Sequence, residues 1–206
     1  MKIIVRKSFL TGVFVILILN THAQTNLNVQ SSDALKHSFS FGYGTVTSLA
    51  MAYATASYMS SLLPGPLNVL MIHYDTKFSG AYFLSYHYSL SPRLRLGATF
   101  AYEKSTTNDH ASSYTYTGQY YSILAGAKYL YNPNRKVNLY GRADLGLLIY
   151  SSGGSASATS SFQISPSHLA LQISPICIRI GKRIGAYCEL GFGNIGLINL
   201  GADCRF

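Results

Sequence analysis

SPRLRLGATFAYEK, residues 91–104, alternates without interruption. Leu94, Leu96, Ala98, Phe100 and Tyr102 take one set of positions, and Arg93, Arg95, Gly97, Thr99, Ala101 and Glu103 take the other. Side chains of a β-strand point to opposite faces with period two. The stretch is therefore predicted to be a strand with one greasy face and one face carrying both signs of charge.

The same grammar recurs along the chain. Tyr82, Leu84, Tyr86, Tyr88 and Leu90 oppose Ser85, His87 and Ser89, while Tyr121, Ile123, Ala125, Ala127, Tyr129 and Tyr131 oppose Ser122, Gly126 and Lys128. Val137, Leu139, Ala143, Leu145, Leu147 and Ile149 oppose Asn138, Tyr140, Arg142 and Asp144. Ala186, Cys188, Leu190 and Phe192 stand against Tyr187 and Glu189, and Ile198, Leu200, Ala202, Cys204 and Phe206 against Asn199, Asp203 and Arg205. A soluble sandwich or lipocalin also alternates, so the placement of charge decides between solvents. In a membrane barrel the charges line the lumen and the apolar face meets lipid. Minor faces that carry Arg142 beside Asp144, or Asp203 beside Arg205, fit an enclosed interior, where an unpaired charge is costly. Tyrosines gather near the strand ends as an interfacial girdle does, and the apolar spans match the roughly 9 to 11 residues a tilted strand needs to cross a bilayer.

Connections alternate in length. Ser91-Pro92, the stretch 132–136 and the stretch 181–183 are short, whereas 105–115 and 151–161 are long, polar and rich in Ser, Thr or Gly. That asymmetry predicts an all-β fold, an eight-stranded antiparallel transmembrane up-and-down β-barrel, with strands near 37–46, 79–90, 93–104, 115–131, 136–150, 165–180, 184–193 and 196–206. Two irregularities stand out. The apolar register in HLALQISPICIRI moves by one at Ser174-Pro175, which predicts a β-bulge unless that strand simply starts later. Residues 48–63 place Leu49, Ala52, Tyr53, Ala56, Met59 and Leu63 near a 3.6 period, so a helix at the barrel mouth competes with an extended hairpin.

The first 23 residues read as a secretory signal, with Lys2, Arg6 and Lys7 ahead of an apolar run too short for a transmembrane helix. Residues 24–36 then form a short N-terminal segment on the periplasmic side, and 37–206 the barrel. Cleavage would take those three cations and leave +6 of the formal +9. With 11% charged residues and no basic stripe, the chain has no nucleic-acid footprint. Cys177, Cys188 and Cys204 fit neither a paired framework nor a metal spacing, and the histidines are too scattered for a metal set. No cofactor or metal is expected, since phosphate-binding and dinucleotide fingerprints are absent.

From Gln172 to Phe206 the segments QISPICIRIGKR and GAYCELGFGNIGLINLGADCRF resemble the C-terminal half of small outer-membrane β-barrel proteins of the Bacteroidetes type, similar in architecture to OmpA/OmpX-type barrels. SGAYFLSYHYSLSPRLRLGATFAYEK fits the same family less strictly. The resemblance implies a small barrel in a Gram-negative outer membrane and implies little about activity.

An eight-stranded barrel is only wide enough for its own side chains. Arg93, Arg95, Glu103, Arg142, Asp144, Arg179, Glu189, Asp203 and Arg205 are therefore expected to form a lumen charge network and not a conduction path. The expected role is structural or surface-interacting, without enzymatic activity. Two alternatives are a small-solute channel and a lipid A-modifying hydrolase, the latter on His87, Ser89 and Glu103, since similar barrels use a His-x-Ser pair with a carboxylate. Expected partners are outer-membrane lipid and lipopolysaccharide, the barrel-assembly machinery through the terminal Phe206, and an unknown extracellular ligand through the long loops.

Overall fold

The computed structural model describes residues 35–62, 74–109, 115–133, 136–154 and 168–206. The predicted export signal lies outside the described residues. Eight strands follow in order: β1 (His37–Thr45), β2 (Tyr74–Ser89), β3 (Leu94–Asp109), β4 (Thr115–Leu130), β5 (Val137–Gly154), β6 (His168–Gly181), β7 (Ile184–Gly193) and β8 (Ile198–Arg205). Among the described residues one helix, α1 (Ser48–Ser61), lies between β1 and β2 in the chain. Each strand pairs antiparallel with the next and β8 pairs with β1, so the sheet closes as an up-and-down barrel.

Closure removes the two edges that an open sheet would present to lipid. The β1–β8 seam runs from Ser38 opposite Arg205 to Thr45 opposite Ile198. Beyond it, His37 N–H donates to the Phe206 carbonyl at 2.8 Å and Phe206 N–H returns a bond to the His37 carbonyl at 3.0 Å. The two rings stack outside this last pair with centroids 5.5 Å apart.

Away from the bulges, alternation then sorts the side chains of the described strands. Outward stand Phe39, Phe41, Leu84, Leu96, Phe100, Ile123, Leu145, Leu147, Ile176, Ile178 and Leu200, with Leu169 and Ile184 more than 70% exposed. Inward stand Ser40, Ser85, Thr99, Arg142, Gln172, Arg179, Glu189 and Asn199, all buried. Apolar outside and charged inside is the reverse of a soluble barrel, and it makes this a transmembrane one. Outward aromatics form a band near each end, Tyr43 against Tyr82 at 5.0 Å and Tyr102 against Tyr121 at 5.3 Å at one, His37 against Tyr88 at 5.4 Å and Tyr129 against Tyr131 at 6.0 Å at the other.

The strands outrun the alternation. Ser105–Asp109 of β3 and Ser151–Gly154 of β5, read from sequence as loop, continue the ladder. β2 starts at Tyr74, five residues before the predicted start. Polar residues hold these extensions, as where the Thr76 and Thr107 hydroxyls meet across β2 and β3 at 2.8 Å. A bulge at Ser79-Gly80, with Gly80 at φ 75°, separates the two parts of β2 and hides their continuity. The bulge predicted in β6 is present: Ile173 pairs with Phe192 but Ile176 pairs with Leu190, and the shift recurs toward β5. Pro175 sits there with Ile176, both facing outward.

If the ring stack of His37 and Phe206 helps close the seam, Phe206→Ala loses an aromatic contact of about 0.5–1.5 kcal/mol, whereas Phe206→Tyr keeps it. The expected outcome is less compact, heat-modifiable barrel in membranes for F206A, with slower appearance in pulse-chase gels. Wild-type level and rate for F206A would rule out the contribution.

Candidate functional site

The lumen is filled in layers, beginning at the end of the short turns, where His37 and Phe206 meet. There Arg179 Nε lies 2.7 Å from both carboxylate oxygens of Asp203, and its remaining nitrogens donate to the Gly181 and Lys182 carbonyls of the β6–β7 turn. Arg205 Nε reaches the same carboxylate at 3.3 Å and its Nη1 donates to Asn138 Oδ1 at 3.0 Å. One aspartate thus ties β6 and β8 together.

The next layer is organised by Arg142, whose side chain is fully buried. Its Nε pairs with Asp144 at 2.5 Å, its Nη1 with Glu189 at 3.0 Å, and its Nη2 donates to Thr99 Oγ1 at 2.7 Å. Glu189 also accepts from the Tyr140 hydroxyl at 2.7 Å and pairs with Lys128 at 3.5 Å. Three planar donor directions of one guanidinium are engaged on β3, β5 and β7, a task a lysine could not perform. The Phe83 ring covers it, with centroid 5.7 Å from the guanidinium carbon.

Above the charges the lumen turns apolar. Phe83, Ala101, Leu124, Leu148, Ala170, Tyr187 and Ile195 form one buried cluster. Tyr187 fits because Gly42 and Gly201 flank it: a Cβ at Gly42 would stand 2.5 Å from its hydroxyl. Ile195 comes from the β7–β8 turn, which folds into the mouth. Gln172 holds that turn, its Oε1 accepting from Ile195 N–H at 3.0 Å and its Nε2 donating to the Gly196 carbonyl at 3.1 Å. Gly196 is at φ 137°, a conformation open to glycine.

Helix α1 completes the cap. Thr47 Oγ1 accepts from Ala50 N–H at 3.2 Å as an N-cap and donates to Glu103 Oε1 at 2.7 Å, so one hydroxyl both starts the helix and anchors it. Val46, at φ 53° and strained for a β-branched residue, makes the turn into it. Leu49 packs on the apolar cluster and Tyr53 on Phe78 at 5.9 Å. The helix alternative read from residues 48–63 is thus the observed one, although Tyr58, Met59 and Leu62 point to solvent. A cleft of about 420 Å³ lies under its first turns, lined by Tyr43, Val46, Met51, Phe78 and Glu103.

Of the residues singled out from sequence, Arg142, Asp144 and Glu189 meet in one cluster and Arg179, Asp203 and Arg205 in another. Arg95 faces the lumen between them, 9% exposed. Arg93 lies in the turn before β3, half-buried. Glu103 faces the lumen near the opposite mouth and bonds a hydroxyl. Lys128 and Asn138 join the clusters without having been singled out. Each was visible only as a lone polar residue on a minor face, and its partner lies on a distant strand. His87 and Ser89 also face inward, but neither His87 nitrogen nor Ser89 Oγ has a hydrogen-bond partner, and Glu103 is engaged elsewhere. The geometry of a base-activated serine is not assembled. Cys177 is buried, while Cys188 and Cys204 face outward, all three unpaired. Among the described residues no three His, Cys, Asp or Glu side chains converge as a metal site.

No family model and no curated protein matches the chain. Among solved structures, the crystal structure of Ail, the attachment invasion locus protein of Yersinia pestis, in complex with the heparin analogue sucrose octasulfate, is similar at TM-score 0.44 and 15% identity, over 83% of this chain and 98% of that one. The backbone structure of Yersinia pestis Ail in a phospholipid bilayer nanodisc is similar at TM-score 0.38 and 18% identity, over 83% and 99%.

Removing Arg142 would leave two buried carboxylates short of their main partner. Arg142→Met is expected to destabilise the barrel by about 3–5 kcal/mol, and adding Asp144→Asn with Glu189→Gln to restore much of that loss. Urea unfolding in lipid vesicles measures both. Equal stability of the single variant and the wild type would show that the cluster contributes nothing.

Proposed function

We propose that this chain is a Gram-negative outer-membrane protein whose barrel is a sealed scaffold and whose long-loop end engages partners outside the cell. The supporting observation is the lumen itself, occupied by two ion-pair clusters at one end, a buried apolar cluster above them and a helix across part of the mouth. A side-chain-filled interior of this kind leaves the rims and the lipid-facing wall as the surfaces that can act. On this reading the network of paired charges, from Arg142 to Asp203 and Arg205, is structural. It supplies fixed cross-strand ties where water and ions would otherwise pass.

The outward aliphatic belt suits outer-membrane lipid, and the aromatic bands suit the two interfaces, the outer one formed by lipopolysaccharide. Phe206, exposed at the seam, is the element we assign to capture by the barrel-assembly machinery. Contacts with an extracellular ligand fall to the connections at the α1 end, of which the stretches 110–114 and 155–167 carry no Asp, Glu, Lys or Arg and are rich in Ser. Such side chains make adaptable polar contacts at low ordering cost.

Two experiments test this. In planar bilayers the purified protein should give no stable conductance steps; large, long-lived steps would replace the scaffold reading with a channel. Cells of a non-adherent host displaying the chain should bind immobilised glycans or matrix proteins, and excision of residues 155–161 should abolish binding while heat-modifiable migration persists. Equal adherence with and without that loop, or none from the intact chain on any coated surface, would remove the proposed role.

A further inference from the structure

The charged end of the lumen is not electrically balanced by its own residues. Arg95, Lys128, Arg142, Arg179 and Arg205 face only Asp144, Glu189 and Asp203 there, an excess of two cations in a space where charge is poorly solvated. Both guanidinium clusters spend their carboxylates locally. Arg95 is left over: it is 9% exposed, and its Nε is buried with no hydrogen-bond partner.

Beside it lies a cavity of about 20 Å³ lined by Ser38, Arg95, Lys128, Arg179, Arg205 and Asp203, with aromatic walls from Tyr140 and Tyr187. A space of that measure holds one water-sized body, since about 10–15 Å³ suffices for a single water. The approach is basic as well. Lys36 just ahead of β1 and Arg93, Lys136, Lys182 and Arg183 on the turns stand at this end, and those turns contain no Asp or Glu. Converging like charge around a narrow mouth concentrates counter-ions.

We infer that this cavity is a binding site for one small monovalent anion of halide type, held by Arg95 with Lys128, Arg179 and Arg205 around it. The ion sits among β1, β3, β4, β6 and β8 and offsets part of the excess positive charge. It is a structural ligand of the closed lumen and does not pass through, because the apolar cluster lies beyond it.

The test uses the full folded chain and bromide. Crystals grown in sodium bromide should show one bromine anomalous peak between Arg95 and Arg205. In micelles the thermal unfolding midpoint should rise with bromide and saturate, relative to gluconate at equal ionic strength. Arg95→Met should weaken bromide binding at least tenfold. Ser38→Val, which fills the cavity and leaves every charge in place, should do the same if R95M does not fold. A cavity with no anomalous peak, holding water alone, or a bromide response equal to that of gluconate, overturns the proposal.

Discussion

A backbone amide left unpaired in hydrocarbon costs several kcal/mol, and the whole structure follows from that constraint. It requires β8 to return to β1, which the ladder from Ser38–Arg205 to Thr45–Ile198 accomplishes. Closure with eight strands then sets the bore. A bore of that size must be filled by whatever residues the inward parity selects.

What fills it is graded. Near the termini, arginines grip aspartate and glutamate across strands far apart in sequence, as Arg142 does with Glu189, 47 residues away. Toward the other mouth the filling becomes aromatic and aliphatic, and then a helix. The grading gives the two ends different characters. One is fixed by charge and short turns, while the other is closed by pieces of connecting chain, the Gln172-held turn and the Thr47-capped helix, which are attached at few points.

Most of the barrel is legible in the sequence because burial imposes period two wherever one face meets lipid and the other does not. Residues 94–103 need no more than that. Legibility fails where the physical difference between faces disappears. Ser105–Asp109 is polar on both sides, so its ladder leaves no periodic trace and reads as loop, and Tyr74–Phe78 is cut off from the rest of β2 by the bulge at Ser79-Gly80. The charge clusters are legible only in part. Arg142 with Asp144 is a neighbouring pair on one face of one strand, but its bond to Glu189 and the Thr47–Glu103 tie depend on register across the closed sheet. Lys128 gives no such signal, because its strand carries no opposite charge.

The bulge in β6 sets a reading frame for sidedness. Before it Leu169, Leu171 and Ile173 face out, and after it Ile176, Ile178 and Ile180 do, because one extra residue absorbs the change of parity. Straightening the strand there with every residue kept would turn the second trio into the lumen and set Cys177 and Arg179 against lipid, whereas losing one residue at Ser174-Pro175 would remove the bulge and leave both trios facing out. Lineages of such a barrel can therefore lengthen or shorten a strand within the membrane only in steps of two, or by gaining and losing a bulge. Single-residue variation is channelled into the connections, so the membrane wall evolves in even increments while the rim is free to drift.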